Sequence, residues 1–298
     1  MKKRQKLVSI ILNCYNGEKY LKDSLLSIKN QTYKKWELIF WDNRSNDNSK
    51  KILKSLKMKN VRYFLSKKHT SLYKARNLAL KKAKGEFIGF IDADDMWQKN
   101  KIKNQIDFFK EKNTAVVYGN SILKNENNNQ SRKFINYNVN SGFIYKDLIK
   151  NYNVGILTAL INKSLLKKSK ITFQNKYNII GDFDFFIRLS KIYKFKYVAK
   201  PVATYRIHKN NLSSKKKDLQ IKEFEIWLKN NKKILEFEDY NTLNIRLKKL
   251  QFIYKKFSSN FFTSFIFFLR SVDKLFSFKN LLILFIPKNV LKKIMWFV

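Results

Sequence analysis

One cysteine, two prolines and seven glycines are all that 298 residues hold of the types that staple or punctuate a chain. A lone thiol excludes an internal disulfide framework. With no Cys/His cluster near it, Cys14 reads as a small buried hydrophobe. Acids are also scarce, 22 against 63 Lys and Arg, for a formal net charge of +41. Such an excess raises nucleic acid as a partner. The lysines, however, are spread along the whole chain, without zinc-finger spacing, an RNA-recognition aromatic signature or a basic zipper. No nucleic-acid partner is expected, and the positive surface favours anionic lipid or a diphosphate-bearing substrate. No G-x-G-x-x-G or Walker sequence is present, so a dinucleotide or P-loop protein would lack its phosphate cradle. Long apolar runs are missing too. The charge-free segment 257–269 is interrupted by Ser258, Ser259, Asn260, Thr263 and Ser264, and falls short of the roughly 18–20 residues that span a bilayer. At the N-terminus, basic residues lead into a short apolar run that reads as a strand, not an export signal. A cytoplasmic location is expected.

What is present alternates. Apolar runs predict strands at 7–12, 36–41, 61–65, 86–91 and 115–119, and helical patterns lie between them near 18–30, 46–58, 71–83 and 98–112. This alternation predicts an α/β fold, with a mostly parallel sheet covered on both faces. Residues 124–133 read as a surface loop. Beyond them the pattern predicts helices near 143–151 and 163–169, a strand at 156–161, and strand material from Tyr197 to Ile207 around Pro201.

The tetrad Asp92-Ala93-Asp94-Asp95 closes the apolar run 87–91. Ionised groups stay buried only when paired or metal-bound, so these carboxylates are not expected in the core. The carboxyl end of a strand is where open α/β sheets bind ligands. Asp92 and Asp94, two residues apart, point the same way while the chain is extended. Oxygen ligation of this kind suits Mg²⁺ or Mn²⁺ bridging to a diphosphate. An acidic turn capping a helix near Gln98 is the plainer alternative. A second cluster, Gly181-Asp182-Phe183-Asp184, opens an amphipathic helix whose Phe185, Phe186 and Leu189 would pack inward. Asp182 there is either a carboxylate facing a cleft or a helix N-cap. Asp184 can pair with Arg188 one turn on.

Five segments in order carry a resemblance: 7–17 (L-V-S-I-I-L-N-C-Y-N-G), 31–47 (from N-terminal Q-T-Y to D-N-R-S-N-D), 74–77 (K-A-R-N), 84–95 (K-G-E through D-A-D-D) and 181–189. Together they resemble the family 2 glycosyltransferases of GT-A fold over residues 7–210. The resemblance implies a Rossmann-like nucleotide-binding sheet with a C-terminal helical extension. It also implies a nucleotide-sugar donor, with uridine favoured, and Mn²⁺ or Mg²⁺ as cofactor. On the matching positions, Asp94 would anchor the metal and Asp92 would support ribose or metal. Tyr15 would lie beside the base, Asn13, Asn43 and Arg76 would approach uracil or ribose, and Asp42 would stay near the ribose. Asp182 falls on the catalytic base, and Gly181 stands where the family often has Glu. Asn43 replaces the second Asp of a D-D pair, which leaves the donor base open. Tyr205-Arg206-Ile207-His208 resembles a Y-R-x-H segment in which the His completes the metal shell in some relatives. His69 carries no assignment.

The chain is expected to divide into a catalytic domain, 1–212 (donor half 1–119, acceptor half 120–212), and a basic, aromatic helical region, 213–298. From Lys215 onward, 18 Lys/Arg face 7 Asp/Glu, and after Asp239 the only acid is Asp273. Val290, Leu291, Ile294, Met295 and Val298 would form one apolar face of a last helix. Basic amphipathic helices of this kind lie in membrane interfaces, so peripheral attachment to the inner face of the cell membrane is expected, with a helical lid or dimer contact as the alternative. The function expected is inverting transfer of a sugar from a nucleotide-sugar, UDP-linked in the favoured case, to a hydroxyl of a growing cell-surface glycan. An inactive GT-A-like binding module and a nucleotidyltransferase remain as alternatives.

Overall fold

The structure is a computed structural model that describes residues 5–258, 261–269, 271 and 283–288. The chain divides between His208 and Lys209 into two compact units.

The first unit is built on one mixed sheet. Its N-terminal part comprises β1 (Val8–Cys14), α1 (Glu18–Lys29), β2 (Trp36–Asp42), α2 (Ser49–Ser55), β3 (Val61–Leu65), α3 (Leu72–Leu80) and β4 (Phe87–Asp92). Every residue of β1 and β2 is buried, as expected of parallel strands covered on both faces. β5 (Met96–Trp97) and α4 (Lys101–Ile106) follow, then β6 (Thr114–Asn125), β7 (Ser131–Lys133), α5 (Tyr145–Lys150), β8 (Leu160–Asn162), α6 (Lys163–Ser169), α7 (Gly181–Ser190) and β9 (Lys194–Ile207). The strand order is β3-β2-β1-β4-β8-β6-β9-β5, with β7 on the outer part of β6. β1, β2, β3 and β4 pair in parallel, as do β6 and β9, whereas β8 runs antiparallel to both of its neighbours.

Three segments differ from their sequence patterns. The expected loop at 124–133 is the end of β6 and its partner β7, whose exposed polar residues suit a strand paired on one side only. The apolar run at 156–161 opens as a single 3-10 turn, because Thr158 donates through both N–H and hydroxyl to the Gly155 carbonyl. Only its end pairs as β8. The helix expected over 98–112 is broken into α4 and a 3-10 turn, Asp107–Lys110.

Register positions the site. Asn13 lies beside Trp41 of β2 and beside Asp92 of β4, so three strand ends present side chains at one level. Gly89 permits the close approach that fixes β4: a Cβ there would stand 2.6 Å from the Trp97 ring and 2.9 Å from Leu160. The Trp97 indole N–H is in turn anchored on the Leu157 carbonyl at 3.1 Å.

The second unit is helical: α8 (Leu212–Lys215), α9 (Lys217–Asn231), α10 (Phe237–Ser258) and α11 (Phe261–Leu269). Phe252, Phe268, Ile283 and Leu284 form its small core. Among the described residues no helix is long and apolar enough to cross a membrane. The apolar face expected at 290–298 lies outside the described residues.

Gly89→Ala is expected to destabilise the first unit by about 1–3 kcal/mol, the usual cost of overpacking a filled core. Thermal unfolding against wild type measures it, and an unchanged midpoint would show that Trp97 yields freely.

Candidate active site

Asp92, Asp94 and Asp95 crowd into one turn, and each is met by a different residue. Arg76 of α3 donates through Nη2 to both Asp92 oxygens at 2.8 and 2.9 Å. Burial alone would pull the Arg76 guanidinium down, but Asp92, with Tyr73 and Asp182 behind it, holds it above its ordinary value. His208 Nε2 lies 3.0 Å from Asp94 Oδ2, and its ring packs 4.7 Å from that of Tyr20. Asp95 corrects the expectation that none of the three belongs to the core: it is only 1% exposed. Its carboxyl accepts the Arg206 backbone N–H at 2.9 Å. Burial, reinforced by Asp94 and Asp92, pushes it well above the usual carboxylate range.

Arg206 knots the turn to β9. Its Nε donates to the Asp94 carbonyl at 2.9 Å, its Nη1 reaches Glu126 at 3.1 Å, and its Nη2 reaches Asp23 at 2.9 Å. Arg206 was visible in the sequence only as a neighbour of His208.

On the other side of Asn13 lies an open face. Tyr15 is 54% exposed, and its ring stands 4.3 Å from that of His69. His69 had no assignment, and nothing in its local sequence marks it. Asn13 is buried, and among the described residues its Nδ2 has no hydrogen-bond partner. Asn43 is fully used inside the protein. Its Oδ1 accepts from the Thr70 N–H and hydroxyl, both at 3.1 Å, and its Nδ2 donates to the Thr70 carbonyl at 2.8 Å. Both carbonyl lone pairs are therefore occupied, and Asn43 shapes the loop that carries His69. Asp42 is likewise internal, accepting from Ser45 N–H and the Tyr63 hydroxyl, each at 2.7 Å.

Asp182 lies in the first turn of α7, one residue inside the helix rather than at its N-cap, which is Ile180. Its Oδ1 accepts the Phe183 N–H at 2.9 Å and lies 3.3 Å from the Tyr73 hydroxyl. Oδ2 receives no hydrogen bond from another residue among those described. Burial raises the Asp182 carboxyl above its ordinary value, against the opposing pull of Arg76. Asp184 is structural, bonded to Arg188 Nη2 at 2.6 Å. Cys14 is buried and 3.4 Å from the Ser49 hydroxyl.

Asp94 and His208 are the residues that fit a divalent ion. No group of three or more His, Cys, Asp or Glu side chains gathers to hold one among the described residues. Two protein ligands still suit Mg²⁺ or Mn²⁺, which keep waters and take further oxygens from a substrate diphosphate.

Comparison with known proteins agrees with this layout. A family model, glycosyl transferase family 2, matches residues 9–186. The Escherichia coli UDP-Glc:alpha-D-GlcNAc-diphosphoundecaprenol beta-1,3-glucosyltransferase WfgD is 35% identical over 170 residues, covering 57% of this chain and 66% of WfgD. The chain thus spans just under two thirds of that relative. Among solved structures, S. aureus TarS 1-349 in complex with UDP-GlcNAc superposes with a TM-score of 0.60 at 19% identity, over 91% of this chain and 76% of that one. The mannosyltransferase PcManGT from Pyrobaculum calidifontis, in complex with GDP-Man and Mn²⁺, gives 0.61 at 15%, over 96% and 80%. Sheet, flanking helices and acidic turn define an α/β protein of GT-A type. The chain belongs to glycosyl transferase family 2.

The raised Asp182 carboxyl predicts a stability signature. A carboxyl whose folded pKa lies above its unfolded value contributes stability that is present below the unfolded pKa, about 3.9, and lost as pH rises through the folded value. Asp182→Asn keeps an oxygen for the Phe183 N–H and removes that loss. The variant should unfold at a higher temperature than wild type at pH 7 and lose the advantage in acid. An equal or lower midpoint at pH 7 would mean that the carboxylate is stabilised in the fold.

Proposed function

We propose that the protein is an inverting, metal-dependent glycosyltransferase that moves a sugar from a UDP-sugar to a hydroxyl of a lipid-carried cell-surface glycan. The observation that carries this reading is on α3. Arg76 bonds Asp92 of the acidic turn, and Tyr73, three residues earlier, reaches Asp182 of α7. One helix thus joins a donor carboxylate to a raised carboxyl, as a reaction between a bound donor and a deprotonated acceptor requires. The UDP donor is supported by WfgD, whose name specifies UDP-Glc, and by the UDP-GlcNAc complex of TarS. The lipid-carried acceptor is supported by the diphosphoundecaprenol in the name of WfgD.

In this reading Tyr15 and His69 flank the nucleotide base, and the unpaired Asn13 amide donates to the nucleoside. Asn43, with its carbonyl already satisfied, holds the His69 loop. Asp92 and Arg76 border the ribose and diphosphate. Asp94 and His208 would hold Mn²⁺ or Mg²⁺, which supplies Lewis-acid stabilisation of charge on the departing diphosphate. Asp182 Oδ2 takes the proton of the acceptor hydroxyl while that oxygen attacks the anomeric carbon from the face opposite the nucleotide. The catalytic domain is assigned to residues 1–212.

A panel of radiolabelled nucleotide sugars tests the reading. Transfer or hydrolysis from a UDP-sugar is expected, and Asp182→Asn should cut turnover by about 10²–10⁴ while leaving UDP affinity nearly intact. Asp94→Asn should abolish the manganese-dependent part of UDP binding. Binding without any turnover of the panel would support an inactive module instead.

The second unit is assigned to the inner face of the cell membrane. It leaves Phe237 83% and Phe285 65% exposed, with Ile266 and Leu269 also open, and 257–298 carry six basic residues against one acid. Attraction to anionic headgroups is screened within a Debye length of about 8–10 Å. The full-length protein should therefore float with anionic liposomes at low salt and dissociate as salt rises. Failure to float at low salt would make the tail structural.

A further inference from the structure

Tyr73 and Arg76, three apart on α3, share one face of the helix. The Tyr73 ring is buried, stacked 5.5 Å from Phe173, with the Arg76 guanidinium 5.2 Å from its centroid. It also lies directly against Gly181. A Cβ on that glycine would meet Tyr73 Cδ2 and Cε2 at 2.5 Å, closer than any side chain tolerates. Gly181 is the first residue of an ordinary right-handed helix, so its lack of a side chain answers to space and not to backbone conformation. The Tyr73 hydroxyl donates to the Ile179 carbonyl at 2.8 Å and stands 3.3 Å from Asp182 Oδ1.

We infer that Tyr73 is the positioning residue of Asp182: its ring occupies the space of a side chain at 181, and its hydroxyl orients the carboxylate so that Oδ2 meets the acceptor. The inference rests on the reading of Asp182 as the base.

Oδ1 is gripped from two elements. The Phe183 N–H holds it from α7 at 2.9 Å, and the Tyr73 hydroxyl approaches from α3. The hydroxyl has one proton and two acceptors. A negative charge on Asp182 strengthens the bond to Oδ1, because hydrogen bonds to ionised acceptors are the stronger ones. When Asp182 has taken a proton, the Ile179 carbonyl is the better partner. The groups that bear on Asp182 are therefore the Tyr73 hydroxyl and Arg76 from α3, Asp92 of β4 behind Arg76, and the Phe183 N–H of its own helix. Removing only the hydroxyl withdraws a donor from the charged form and leaves the ring packing in place. Asp182 must then hold its proton to higher pH.

The test is Tyr73→Phe in the full-length protein, with aspartate carboxyls labelled with ¹³C and the Asp182 signal assigned by its loss in Asp182→Asn. The titration midpoint of Asp182 should rise by about half a pH unit or more, as loss of a hydrogen bond to a carboxylate implies. The acid limb of UDP-sugar turnover should move with it at unchanged UDP affinity. An unmoved midpoint overturns the positioning role, whereas a moved midpoint in a protein that turns over no UDP-sugar overturns the transferase reading alone. A second pair tests the shared space by thermal unfolding. Gly181→Ala should lower the midpoint sharply in wild type and much less in a Tyr73→Ala background. Equal losses in both backgrounds would overturn the claim that the ring excludes a side chain at 181.

Discussion

Three carboxylates within four residues repel one another, and the site is organised around relieving that repulsion. The relief comes from separate directions. Arg76 reaches Asp92 from α3, His208 reaches Asp94 from just beyond β9, and the Arg206 main chain meets Asp95. Because α3 precedes the turn in the chain and β9 lies about a hundred residues beyond it, the acidic turn ties early and late parts of the first unit together. Arg206 adds contacts to Asp23 of α1 and Glu126 beyond β6. Loss of this one guanidinium would remove contacts to three segments at once, with the half-exposed Asp23 carboxylate left to solvent.

The sheet supplies the place where this becomes useful. β1 lies between β2 and β4, with β3 beyond β2, so the strand order reverses at β1, the kind of point at which open α/β sheets bind ligands. Asn13, whose amide is buried and has no hydrogen-bond partner among the described residues, stands at that point beside Asp92. The nucleoside contact of the proposed function would give that amide a partner, as buried polar groups ordinarily have.

Much of this was legible in residue order. β1, β2 and β4 stand where largely apolar runs placed them, because a strand buried on both faces reads as such a run, and the half-buried edge strand β3 also lies in its expected place. The pairing of Asp184 with Arg188 followed from helical spacing. What could not be read were contacts between segments distant in sequence: Asn43 spent on Thr70, His69 against Tyr15, and Tyr73 against Gly181. Asp95 and Lys101 were illegible for a related reason. Lys101 is fully buried, bonded at 2.7 Å to Gln105 and to the Thr158 carbonyl, and sits 4.8 Å from the Trp97 ring centroid. A charged residue's burial depends on partners that its own neighbourhood does not reveal.

Scarcity of acid also has a spatial consequence. The first unit draws many of the chain's few carboxylates inward, into bonds with Arg62, Arg76, Arg188 and Arg206. Many of the lysines among the described residues are exposed, so much of the positive charge apparent in the composition lies at the surface. Surface potential of one sign acts over a Debye length, drawing anionic molecules before any specific contact forms. A nucleoside diphosphate sugar and an anionic lipid headgroup respond to the same field. The acidic turn is the exception within it, and in the proposed function a divalent ion held there by Asp94 and His208 would offset the repulsion between the turn and a diphosphate. Of the chain's 22 acids, Asp92, Asp94 and Asp95 stand in that turn, and the chain's excess of lysine suits the anionic donor of the proposed function.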